Sequence, residues 1–377
     1  MRHWTFAFLI AASVPLLLTG TARAAPPHPV FQVDPWWPKP LPHGYVFGSS
    51  GGVTVDSHDN VWIYSRPTST HITMSNPPEA NNGMPAPSVV EISNDGRFIQ
   101  GWGGVLAMSE EERSHFDWPV QEHGIAVDSH DNVWVCGNGR DAKTHRDDDQ
   151  CIKFTNNGKF ITQLGKSGKS KGSLDTENLG HPSQAVYYAP TNELFISDGY
   201  VNRRVYVADA DTGKFKRMWG AYGKTPDDSA TRNRGYDPVP SQFNLLHGMT
   251  VARNGDVFVA DRNANRVQAF TRDGKFLGES FVAANTPQHD YGTAFGVALS
   301  GDKDQRFLYV ADGHNEVVHV LDRKTLKEIP GAAFGRVGLY AGQFSNIHVI
   351  ASDSKGNVYV GDGGGRFQKF VYKGMAQ

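Results

Sequence analysis

HGIAVDSHDNVWVCGN (123–138), HGMTVARNGDVFVADR (247–262) and HVIASDSKGNVYVGDG (348–363) are versions of one unit, and their reading decides the fold. Each is an apolar strand, a tight turn rich in Asp, Asn and Gly, and a second apolar strand. Three further copies fill the intervals: GGVTVDSHDNVWIYSR (51–66), SQAVYYAPTNELFISDG (183–199) and AFGVALSGDKDQRFLYVADG (294–313). Most are followed by a third strand with its own polar turn, as in CIKFTNNGKFITQLG (151–165). A small sheet of this kind cannot bury both faces alone and must stack on its neighbours, so six copies predict an all-β, six-bladed β-propeller.

Composition agrees. The 41 Gly and 21 Pro suit a chain of many turns, and helical periodicity is confined to Ser-Glu-Glu-Glu-Arg at 109–113. A length of 377 residues would by itself suggest two domains, but the repeats argue for one propeller over 25–377. The last unit offers strands around 346–353, 358–362 and 366–372 and is then one strand short. The segment VFQVD (30–34), just ahead of Trp36 and Trp37, is the expected donor, so an N-terminal strand closes the ring and removes an exposed edge.

Residues 1–24 read as an export signal. Arg2 and His3 precede an apolar run at 6–18, and Ala22-Arg23-Ala24 has the small-x-small cleavage pattern. The run is too short to span a bilayer. We therefore expect an exported monomer, periplasmic or extracellular. That compartment permits a disulfide between Cys136 and Cys151, the two cysteines of the chain; two buried free thiols are the alternative. A formal net charge of −2 gives no electrostatic footprint for nucleic acid or an anionic membrane.

In a propeller the first strand of each blade lines the central channel. At its start the six units place Gly51, His123, Ser183, His247, Ala294 and His348. A lone histidine there is more often a satisfied structural residue than a ligand. Three in one register on alternate blades are related by a pseudo-threefold axis, the demand of a three-imidazole site for Zn2+ or another divalent transition metal. At the end of the second strand, Arg66 and Arg262 occupy matching positions and Tyr200 lies one residue further on, so all three are expected to rim the same mouth. Their structural readings are inter-blade partners of carboxylates for the arginines and a packing role for the tyrosine. Insertions at 67–88, 139–149, 166–181 and 221–242 fall on that face, whereas His58 and His130 sit in turns on the other. Asp147-Asp148-Asp149 reads as a solvated loop.

SDGYVNRRV (197–205), FNLLHGMTV (243–251), VADRNANRVQAF (259–270) and HVIASDSKGNVYVGD (348–362) resemble the peptidyl-α-hydroxyglycine α-amidating lyases, six-bladed propellers of NHL type, over nearly the whole chain after residue 24. The resemblance implies that His123, His247 and His348 bind zinc, that Tyr200 is the catalytic base, and that Arg66 and Arg262 are site arginines. It also implies a structural Ca2+ held by backbone carbonyls near Ser50 and Ile125. The implied reaction cleaves the C–N bond of an α-hydroxyglycine-like carbinolamide to an amide and a carbonyl product such as glyoxylate. The substrate would be a small molecule or peptide with a hydroxylated amide, supplied by a separate hydroxylating enzyme. Two departures stand out: the methionine shortly before the third histidine is replaced around Asn346, and the cysteine after the tyrosine is Val201. The competing classes are a non-catalytic NHL propeller binding a peptide, glycan or protein, and a lactonase-like propeller hydrolase. The latter uses carboxylate and amide ligands around calcium, which the imidazole triad argues against.

Overall fold

The computed structural model describes residues 26–69, 83–232, 238–286 and 291–376. They form six antiparallel sheets around a central channel. The innermost strands are Ser49–Val55, Glu122–Val127, Pro182–Tyr188, Leu246–Val251, Ala294–Leu299 and Ile347–Ser352. The proposed export signal at 1–24 lies outside the described residues, as do parts of the insertions at 67–88 and 221–242.

Ring closure follows the sequence reading. Blade six contains Ile347–Ser352, Val358–Asp362 and Phe367–Ala376, and its outer strand is His28–Asp34 from the other end of the chain. The register runs antiparallel from His28 opposite Ala376 to Asp34 opposite Lys369. Blade five has three strands, its outer edge met by bridges from Phe334 to Val318 and from Glu328 to Leu321 and by the Ile329 N–H donating to the Val320 carbonyl.

Strand alternation explains why the blades need one another. In blade four, Val257 and Val259 face blade three while Phe258 and Ala260 face blade five. Every blade boundary holds one such apolar cluster, six in all. Each fully buried Val or Phe is worth about 1.5–3 kcal/mol relative to exposure, so the hydrophobic stabilisation sits between blades rather than within them.

The Asp-rich turns on the far face are held by their first carboxylate. Asp56, Asp128 and Asp353 each accept the N–H groups of the second and fourth residues onward at 2.8–3.0 Å. His58 and His130 are exposed there, as expected. The single α-helix among the described residues, Glu110–Arg113, is closed by a Ser109/Glu112 capping box. Cys136 and Cys151 face each other on adjacent strands and are disulfide-bonded.

Candidate metal centre

At the mouth end, the pairing of first and second strands slips in every blade, between Ser50 and Gly52, Glu122 and Ile125, Pro182 and Gln184, Leu246 and Gly248, Ala294 and Gly296, and Ile347 and Val349. A bulge re-aims the residue it leaves unpaired. The skipped positions include Gly51, His123, Ser183, His247, Phe295 and His348. This corrects the expectation at blade five: the register residue is Phe295, not the small Ala294. Phe295 packs its ring 5.2 Å from that of His247 and 6.2 Å from that of His348.

The glycine after the bulge lets neighbouring inner strands approach. A Cβ at Gly248 would lie 2.7 Å from both the Gly296 Cα and the Phe295 carbonyl oxygen. Close approach gives each imidazole an orienting contact from the next blade. His123 Nδ1 bonds the Ser183 carbonyl at 2.5 Å and His247 Nδ1 bonds the Phe295 carbonyl at 2.7 Å. His348 Nδ1 faces the Ser50 backbone across the seam between blades six and one without closing a hydrogen bond.

In His123 and His247 these contacts keep the proton on Nδ1, which donates to the carbonyl, and leave Nε2 as a bare lone pair facing the axis. The ring centroids form a near-equilateral triangle of 4.9, 4.9 and 4.7 Å. The Nε2 atoms of His123 and His247 are 3.3 Å apart, and those of His247 and His348 3.1 Å. Burial pushes all three rings well below the ordinary histidine range, reinforced by neighbouring imidazoles and Arg66 at His123, by His348, Arg262 and Arg66 at His247, and by the two arginines at His348. Three converging buried lone pairs repel one another unless a cation lies between them. Two Zn–N bonds of 2.0–2.1 Å at a tetrahedral angle separate their nitrogens by about 3.3 Å, so the donor set fits such an ion.

The rim residues meet as the register predicts. Tyr200 Oη is 3.2 Å from His123 Nε2 and 3.4 Å from Arg262 Nη1. Arg66 Nε donates to the Glu122 carbonyl, one residue before His123, at 2.9 Å. The Arg262 guanidinium lies 4.8 Å from the Phe295 ring and 5.2 Å from that of Tyr291, a half-exposed wall residue that the repeat did not single out. Among the described residues neither arginine has a carboxylate within ion-pair distance. Buried arginine–carboxylate pairing is found instead within blades, between Arg204 and Asp198 on adjacent strands of blade three and between Arg266 and Asp261 on adjacent strands of blade four. Two guanidiniums over neutral imidazoles, Arg66 acted on only at longer range by the buried Glu122 carboxylate, make a mouth suited to an anionic group.

The calcium expectation finds a poorer donor set. The channel beyond the histidines is lined by residues such as Thr54, Gln184, Thr250, Val297 and Ser352, with no carboxylate. An ion near Ser50 and Ile125 would be held by backbone carbonyls alone, as the resemblance implies. A second group, Asp128, His130 and Asp211, already has its cation: Lys153 Nζ lies 2.8 Å from Asp128 and 3.4 Å from Asp211. Asp147-Asp148-Asp149 is not a solvated loop either. Asp148 and Asp149 are buried and hold backbone N–H groups of the loops around blade two.

The fold and site define a six-bladed propeller with a three-histidine centre, and residues 243–270 match the NHL repeat. The chain is 27% identical over 351 residues to peptidylglycine alpha-amidating monooxygenase of Rattus norvegicus, covering 87% of this chain and 32% of that one. It is 29% identical over 214 residues to peptidyl-alpha-hydroxyglycine alpha-amidating lyase 2 of Drosophila melanogaster, covering 55% and 42%. With NHL repeat-containing protein 3 of Mus musculus it shares 27% over 257 residues, covering 66% and 59%. It thus spans less than two thirds of each of these relatives. A streptogramin B lyase structure shares the fold with a TM-score of 0.51 and 12% identity, over 91% of this chain and 98% of that one. Among the described residues no helix is long and apolar enough to cross a membrane.

Proposed function

We propose that the protein is an exported, metal-dependent carbon–nitrogen lyase acting on an α-hydroxyglycine-like carbinolamide. The observation that carries this reading is the convergence of three buried Nε2 lone pairs, those of His123 and His247 oriented by backbone carbonyls, beneath Tyr200 and two arginines that have no carboxylate within ion-pair distance among the described residues. Similarity to the amidating lyases supports the same class.

His123, His247 and His348 would hold the ion, which supplies Lewis-acid polarisation of the substrate oxygen. Arg66 and Arg262 bind the substrate carboxylate and place the hydroxylated carbon over the triad. Tyr200 Oη accepts the hydroxyl proton as the C=O bond forms. The C–N pair passes to nitrogen, which takes the proton that Tyr200 Oη received, releasing an amide and glyoxylate or a related carbonyl compound. The atoms balance without a redox partner. A separate hydroxylating enzyme would supply the substrate. The Cys136–Cys151 disulfide supports export, with cleavage after Ala24 as the matching maturation step.

Purified protein should carry about one zinc per chain and release glyoxylate from an N-acyl-α-hydroxyglycine, and the His123/His247/His348 triple alanine variant should do neither. Equal zinc in both proteins would remove the basis of the proposal. A second reading, a non-catalytic NHL propeller that binds its partner at the same mouth, is favoured by the similarity to NHL repeat-containing protein 3. It predicts no bound metal and no turnover.

A further inference from the structure

Each histidine-bearing strand enters the channel through a carboxylate that grips two successive backbone N–H groups. Before His123, Asp148 accepts from Val120 N at 2.8 Å and Gln121 N at 3.0 Å, and its second oxygen also accepts from Gly139 N at 2.6 Å. Before His247, one oxygen of Asp261 accepts from Asn244 N at 2.9 Å and Leu245 N at 2.8 Å, while the other is held by Arg266. Before His348, Glu316 accepts from Asn346 N at 2.6 Å and Ile347 N at 2.9 Å, one on each oxygen.

The three intervening blades are built more loosely at the same place. Asp198 takes one lead amide, Gly180 N at 2.7 Å. In blade five the acceptor is the neutral amide of Asn265, on Thr293 N at 2.9 Å. In blade one it is the Ser69 hydroxyl, on Ser49 N at 2.8 Å. Among the described residues, double carboxylate clamping therefore coincides with the histidines and not with the propeller repeat as such.

Blade six shows the device at its most deliberate. Its carboxylate comes from the preceding blade, and both Glu316 and Asn346 adopt left-handed backbone, φ +58° and +63°. That conformation is uncommon for residues with a Cβ and persists where surrounding contacts over-determine it. Here it aims the carboxylate at the two amides preceding His348. His348 Nδ1 makes no carbonyl hydrogen bond like those of the other two rings, so the clamp supplies a restraint at the start of its strand beyond the ladder to Val358–Asp362.

We infer that Asp148, Asp261 and Glu316 are positioning residues that fix the height and direction of the three histidine strands, and through them metal affinity. The inference rests on the metal-site reading. Glu316→Gln tests it most directly, because a glutamine presents an amide N–H to one of the two backbone donors. The folded variant, compared with wild type by competition against a chromophoric chelator, should bind Zn2+ about tenfold more weakly, with altered Co2+ absorption. Ser69→Ala, which removes the blade-one contact, should leave both unchanged. Wild-type protein that binds no Zn2+ would defeat the metal site itself. Wild-type and folded Glu316→Gln proteins with equal Zn2+ affinity and equal Co2+ spectra would overturn the positioning role alone. If Glu316→Gln does not fold, Glu316→Asp, which withdraws the carboxylate by one methylene, is read by the same criterion.

Discussion

Gly248→Ala is the substitution whose consequence can be worked most fully from the structure. The added methyl would stand 2.7 Å from the Gly296 Cα and 2.7 Å from the Phe295 carbonyl oxygen, both backbone atoms that no rotamer change can move aside. Ordinary carbon contacts begin near 3.5 Å, so blades four and five must part by roughly 0.7 Å at the level of the histidines. The bond from His247 Nδ1 to that carbonyl, now 2.7 Å, would stretch beyond useful geometry. Overpacking of this kind costs about 1–3 kcal/mol and the lost bond about 1 more. For a chain of this size a total near 3 kcal/mol lowers Tm by roughly 4 °C. Zinc affinity should fall about ten- to a hundredfold, as it does when a ligand loses its orienting partner. Gly278→Ala in the outer strand of the same blade is the control, since its methyl would meet only Leu326 Cδ1 at 3.7 Å. Thermal denaturation and chelator competition on both proteins decide the matter. A Gly248→Ala protein with the Tm and zinc affinity of the Gly278→Ala control would refute the account of how His247 is oriented.

Tyr200→Phe should retain zinc and change KM only a few-fold while kcat falls roughly 10²- to 10⁴-fold, measured by glyoxylate release; a kcat within tenfold of wild type would dismiss Tyr200 as the base. Replacing both Cys136 and Cys151 by Ala opens a bond that spans 15 residues and should cost about 2–4 kcal/mol in urea denaturation without changing zinc content. Burial depresses all three histidine pKa values, so their neutral forms contribute stability that is complete above about pH 6.5, the unfolded value, and is lost as pH falls toward the lowered folded values. The metal-free protein should therefore lose stability between pH 7 and 5 in urea titrations, and the triple alanine variant should follow a flatter curve.

The repeat was legible because strand alternation and Asp-Asn-Gly turns are local signals. Ring closure was legible because a missing outer strand at one terminus matches a spare strand at the other. What misled was counting across a bulge. The blade-five hairpin is longer, with SGDKDQR between its strands, and the extra residue of the bulge breaks the period of two. The glycine that follows the bulge in His123-Gly124, His247-Gly248 and Phe295-Gly296 marks the position correctly, and aligning on it would have placed Phe295 in the ring. Asp147-Asp148-Asp149 misled for a different reason. Charge density suggests solvent, but Asp148 is buried because three backbone N–H groups satisfy its oxygens. Glu316 had no signature at all, since its partners lie 30 and 31 residues away on another blade.

The corrected register also changes how the mouth must be pictured. Three similar small residues between the histidines would leave three equivalent approaches to the axis and no preferred orientation for a substrate. Instead the three sectors differ. Between His123 and His247 stands Tyr200, close to both rings. Between His247 and His348 stands Phe295, backing Arg262 with an apolar wall. Between His348 and His123 the register residue is Gly51, and Arg66 is tied to the carbonyl just before His123. Three histidines of threefold arrangement are thereby enclosed by a tyrosine, a guanidinium backed by an aromatic wall and a guanidinium tied to the backbone, in fixed order. A carboxylate drawn to the arginines and a hydroxyl directed at Tyr200 can be satisfied together in only one sense around the axis. Any stereochemical preference at the hydroxylated carbon would follow from that asymmetry, because the imidazoles alone distinguish no direction.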